Sequence, residues 1–193
     1  MWWDVPPEVR AEWERWHTTE HMPERLAIPG FVRGSRWAAS SGEPSFFVFY
    51  ETENLATITA GAYLDRLNNP TPWSRKMMPH HRNMVRSLCL VRARAGAGLG
   101  HALATVRFSQ HVLPSLEPRK GVTSLQLLEA QPMAGPQTAE QKIRGGDAQA
   151  DRVLLVCGYD ADAVQAAARG LAPHGSVTGL YRLAYCLTSK DAA

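Results

Sequence analysis

The sequence predicts an α+β chain made of two tandem halves, each in the element order βαββαβ. Three observations carry this. Short β-branched and aromatic runs alternate with helical periodicity from Trp2 to Ala93; the same order recurs, more weakly, from His101 onward; and a flexible, glycine-bearing stretch, Arg94–Gly100, lies between. The expected boundaries are 1–94 for the first half, 95–100 for the linker and 101–190 for a diverged second half.

The elements follow in order. Trp2–Pro6 is short and extended, a first strand beginning close to Met1. Pro6 and Pro7 suit a helix entry, because proline presets φ and its missing N–H is no loss in a first turn. From Glu8 to about Arg25 the spacing is helical, with Val9, Trp13, Trp16 and Glu20 on one side and His17 and His21 alongside. Pro23 predicts that the last regular turn ends near His21 or Met22. Pro29-Gly30 marks a turn, and Phe31–Ala38 reads as a strand. Ser45–Glu51 (SFFVFYE) is dense in aromatics and reads as a central strand. Asn54 caps a second helix to about Leu67, with Leu55, Ile58, Ala62 and Leu67 on its apolar face. Residues 68–82 form a loop with room for one helical turn, and Asn83–Ala93 is the fourth strand.

This order is the split βαβ of a ferredoxin-like half. In the second half the strands are His101–Ser109, Val122–Ala130, Arg152–Tyr159 and Ser176–Leu187. Val112–Gly121 is a poor short helix, and Asp160 or Asp162 caps an Ala-rich helix to Leu171. Gln131–Ala150, rich in Gly, Pro and Gln, reads as a long loop, either an excursion over a pocket or, as its composition favours, a disordered segment.

Totals narrow the function classes. With 45% hydrophobic and 20% charged residues, the 193-residue chain is ordinary for a globular protein. A net charge of +3, without a basic run, argues against nucleic acid. Cys89, Cys157 and Cys186 are odd in number and set in apolar runs, so they read as small buried residues of a reducing compartment. There is no leader pattern and no apolar run of roughly 18 residues. The expected location is cytoplasmic, with no membrane partner.

The stretch HTTEHMPERLAIPGF, His17–Phe31, holds the main candidate chemistry. His17-x-x-Glu20-His21 has the letters of an inverted zinc-peptidase motif, in which two histidines hold the metal and a carboxylate activates water. Such a site needs a third ligand on a later helix. Asp65 is placed for it, but nothing around Asp65 repeats the peptidase pattern, so no metal is called for. A second explanation is structural: Glu20 accepts from backbone or Arg25, and His21 caps the last helical carbonyls. A third is a pocket between sheet and helices, walled by Trp13, Trp16, Trp73 and His80, with His81 near. His17 or His21 would then be the base and Tyr50 the donor to a carbonyl oxygen. Aromatic walls with a few polar tips suit a small, flat, apolar ring compound.

WHTTEHMPERLAIPGF resembles the segment of EthD-like dimeric α/β-barrel proteins in which a tryptophan and Glu-His end the first helix ahead of Pro-Gly-Phe. Tyr50-Glu51, Ala62–Leu64 (AYL), Asn69–Trp73 (NPTPW) and Pro79–Arg86 (PHHRNMVR) resemble one uncharacterised branch of that group. The likeness covers about residues 2–92. It implies two four-stranded antiparallel sheets packed as an α/β barrel within one chain, with a homodimer expected. It also implies a choice between a cofactor-independent enzyme (proton transfer, cyclisation or monooxygenation) and a non-catalytic binding or stress-responsive protein. Relatives of the fold bind haem through an axial histidine, but no feature of this sequence favours a cofactor.

Overall fold

Trp2 and Trp3 are neighbours in the chain yet belong to different cores, because successive strand residues point to opposite faces. The computed structural model describes residues 1–42, 44–111, 114–117, 119–132 and 136–192. Among these, nine strands form one sheet: β1 (Trp2–Asp4), β2 (Phe31–Ala39), β3 (Phe46–Thr52), β4 (Arg82–Val85), β5 (Leu88–Gly96), β6 (Ala102–Phe108), β7 (Val122–Gln131), β8 (Arg152–Gly158) and β9 (Val177–Thr188). Their order is β4-β1-β3-β2-β9-β6-β8-β7-β5, and every strand pairing is antiparallel.

Two strands divide their length between partners. The first part of β9 pairs with β6 and its later part with β2, joining the halves. The fourth strand predicted at 83–93 is likewise interrupted: β4 pairs with β1 and β5 with β7, on either side of Arg86-Ser87. The sheet therefore begins and ends on consecutive strands, and the chain itself joins its two edges. Ser87 exchanges hydrogen bonds with the Ala150 backbone, both at 2.9 Å, pinning this junction.

Period-2 alternation then yields three apolar clusters. Trp2, Trp37, Phe47, Leu103, Leu128 and Leu155 turn toward one another from strands right around the sheet. Trp3, Phe46 and Val48 point the other way, into the helices of the first half. Leu154, Val156 and Val106 do the same in the second half, against α7 (Ala161–Leu171), whose N-terminus Asp160 caps through the amides of Asp162 and Ala163.

The first helix departs from expectation at Pro23. After a 3₁₀ turn (Pro7–Val9) and α1 (Arg10–Trp16), His17–His21 forms a π turn, and α2 (Met22–Leu26) continues past the proline. The amide of Met22 bonds to the His17 carbonyl, five residues back. This extra residue resets the ladder, so Pro23 falls in the first turn of a new α segment, where its missing N–H costs nothing. The helix predicted at 54–67 is split by extended Ala60 into α3 (Ala56–Thr59) and α4 (Gly61–Asn68). The 68–82 loop holds α5 (Pro72–Met77) and a 3₁₀ turn.

Two second-half expectations change. No helix forms in the described part of 112–121, where Pro114 removes an amide donor; Val112, Leu113 and Pro118 lie outside the described residues. The 131–150 excursion, expected to lack order, carries α6 (Ala139–Arg144), started by a full capping box between Thr138 and Gln141. Residues 133–135 of that expectation lie outside the described residues.

Candidate active site

The π turn gathers the predicted residues into an aromatic and polar cluster beneath the first helix. His17 is buried and stacked on Trp13, ring centroids 4.9 Å apart, and its Nδ1 lies 3.4 Å from the Arg36 guanidinium. His21 sits 4.6 Å from the Trp16 ring and 5.5 Å from His17. From the other side His81 accepts a 2.8 Å hydrogen bond at Nε2 from the Trp13 indole. An indole nitrogen only donates, so the His81 Nε2 is unprotonated and its proton sits on Nδ1. The Nδ1 atoms of His81 and His21 are both enclosed without a partner.

Burial drives all three imidazoles well below the usual histidine range. The guanidiniums of Arg36 (for His17), Arg25 (for His21) and Arg144 (for His81) push the same way. They are neutral bases of reduced strength.

Glu20 accepts from Thr71 Oγ1 at 2.6 Å and from the Trp16 indole at 3.1 Å, which ties α5 to the π turn. It bonds neither backbone nor Arg25, contrary to the structural expectation, and His21 Nδ1 caps no carbonyl. Among the described residues no group of three or more His, Cys, Asp or Glu side chains converges to hold a metal ion. Arg25 instead forms a buried ion pair with Glu140 of α6.

Tyr50 lies apart from the histidines, on the wall of a cavity of about 240 Å³. Residues of both β3 and β5 contribute to its wall. Phe31, Tyr63 and Ile58 wall it on the helix side; Trp2, Phe47 and Phe49 wall it on the other. Phe31 stands edge-on to Tyr50 and tilted against Tyr63. Arg86, also on the wall, donates to the Tyr63 hydroxyl at 3.1 Å. The Tyr50 hydroxyl is enclosed and unpartnered, and burial raises its pKa, so it remains a protonated donor. Gly34, opposite Tyr50 on β2, lets this ring sit close: a β-carbon there would come within 2.9 Å of Tyr50 Cε1.

The structure thus brings Trp13, Trp16, His17, His21 and His81 together and places Tyr50 at the cavity. Trp73 packs at the edge of the helix-side core under the Arg15 guanidinium, and His80 is half-buried; neither lines the cavity.

No protein-family profile matches the chain, and no curated protein matches it significantly. Solved structures do match. An anthrone oxidase-like protein aligns over 100% of this chain and 92% of its own, with TM-score 0.59 and 8% identity. A provisionally assigned monooxygenase from Lactobacillus acidophilus NCFM aligns over 97% and 93%, with TM-score 0.51 and 7% identity. The chain shares the fold of these two structures. At such identities the likeness extends to the path of the backbone and not to side-chain chemistry. Among the described residues, no helix is long and apolar enough to cross a membrane.

Proposed function

We propose that the chain is a single-chain α+β barrel of the EthD-like branch, and that it acts as a cofactor-independent enzyme on a small, flat, mostly apolar ring compound. The strand orders β4-β1-β3-β2 and β9-β6-β8-β7 are the same 4-1-3-2 arrangement, which supports two tandem ferredoxin-like halves. The observation that carries the functional reading is the aromatic cavity reaching Tyr50. Its volume is at the low end for ligand sites and suits a molecule of roughly two fused rings.

The chemistry is proton transfer followed by cyclisation or oxygenation. An enolisable ring ketone or phenol gives up a proton to a neutral imidazole, His21 or His17, while Tyr50 hydrogen-bonds the developing oxyanion. For oxygenation the carbanion forms a C–O bond to dioxygen, and the resulting hydroperoxide loses water to leave a new ring carbonyl, so that the ring carbon is oxidised and dioxygen reduced with no bound cofactor. One observation favours the non-catalytic alternative: the three weakened imidazoles do not line the cavity.

Oxygen uptake with phenols and two-ring enolisable ketones such as 2-tetralone, together with thermal shifts for the same ligands and their quinones, separates the two. Catalysis gives oxygen uptake that falls steeply in both Tyr50→Phe and His21→Ala. Thermal shifts without turnover leave the binding function alone. No shift and no turnover with any ring ligand refutes both.

A further inference from the structure

The excursion between β7 and β8 is held by charge more than by apolar contact. The six residues of α6 bury two side chains, both charged, Glu140 and Arg144, and rest Ile143 on the edge of the helix-side core. Around this sit Arg144, which pairs with Glu140 and Asp147, and Arg86, 4.0 Å from Asp147. The amide of Ala139 donates to Asn68 Oδ1, and Ala148 pairs with the backbone of Met84 and Arg86. With so little apolar anchorage the helix depends on these ion pairs, and it is free to open only when another anion takes the place of Glu140 on Arg25.

What it covers is unusual. Arg25 is 3% exposed, and one of its two terminal nitrogens meets Glu140 while the other, Nη1, has no partner among the described residues. The same charge network reaches the cavity wall, where Arg86 lies 4.0 Å from Asp147, which pairs with Arg144 and through it with Glu140. Arg25 does not line the cavity; it is a buried, half-satisfied anion receptor joined to the cavity wall by that network. Its present anion comes from a detachable segment of the same chain.

We infer that Glu140 stands in for the ligand's own anion: the site takes a planar ring bearing a carboxylate or phenolate, which replaces Glu140 on Arg25 and displaces the α6 strap. This inference rests on the ring-compound reading and adds to it the charge of the ligand and the residue that reads it. A fork-shaped guanidinium with a free nitrogen can take both oxygens of a carboxylate, where Glu140 reaches one.

The test uses 2-naphthoate and its neutral amide, 2-naphthamide, on the full chain. In the wild type, saturating naphthoate should speed hydrogen exchange across 139–144, and naphthamide should not. Glu140→Gln removes the competing charge and should tighten naphthoate binding at least about tenfold while leaving naphthamide unchanged. If Glu140→Gln does not fold, the wild-type exchange experiment decides alone. Naphthoate binding that leaves the strap equally or better protected overturns the inference. Binding of naphthamide but not of naphthoate overturns it as well, while sparing the ring-compound reading. Failure of both probes to bind takes down that reading together with the inference.

Discussion

Lowering the pH should unfold this protein through its histidines. His17, His21 and His81 are neutral in the folded state, and each has a folded pKa well below the unfolded value of 6.5. The unfolded chain binds protons that the folded chain refuses, so stability is full above pH 6.5 and is lost as pH falls below it. Each proton difference costs about 1.4 kcal/mol per pH unit. Integrated from pH 7.5 to 5.5, with the folded rings still neutral, each histidine removes about 1.4 kcal/mol and the three together about 4. The Met1 amine, buried and held down to about 5 from 8.0, removes about 2 kcal/mol more over the same interval. A total of about 6 kcal/mol is comparable with the whole stability of many domains. Urea denaturation at pH 7.5, 6.5 and 5.5 measures the loss. His17→Phe keeps a ring against Trp13 and leaves Met1 untouched, so its loss over that interval should be smaller than wild type by about 1.4 kcal/mol. Equal pH dependence in the two proteins, or the imidazole of His17, His21 or His81 titrating near 6.5 by NMR in the folded state, would refute the reasoning.

Three substitutions probe the frame around the site. Trp13→Phe leaves the His81 Nε2 acceptor without its 2.8 Å donor and should lower stability by about 2–4 kcal/mol in urea denaturation. Gly34→Ala drives a methyl against Tyr50, Leu26 and Met22 and should cost about 1–3 kcal/mol, read the same way. Pro23→Ala, by contrast, should change stability by less than about 1 kcal/mol, because the π turn has already placed this proline in a first turn. A loss above about 3 kcal/mol there would mean the proline sits in a helix interior.

The elements governed by alternation were legible in the sequence. Phe46, Phe47 and Val48 announce a strand buried on both faces, and Asp160 announces α7. Missed features turn on longer-range facts. Pro23 looks like a terminator until the i−5 bond from Met22 is known, and the letters of His17–His21 carry no mark of a π turn. The break at Arg86-Ser87 arises because one run of β-forming residues serves two sheet edges, which local pattern cannot show. At the site, the aromatic and histidine cluster was readable from helical spacing, and Tyr50 from its place in β3. Arg25 and Glu140 were not paired, being 115 positions apart. One signal did exist: Thr138-x-x-Gln141 is a capping box, enough to place a helix in a segment otherwise dismissed on composition.

A crystal soaked with 4-bromophenol would locate the ligand directly. The bromine's anomalous peak should lie among Phe31, Phe47 and Tyr63, with the phenol oxygen directed to Tyr50. A peak only on the outer surface, or none at saturating ligand, would contradict the account.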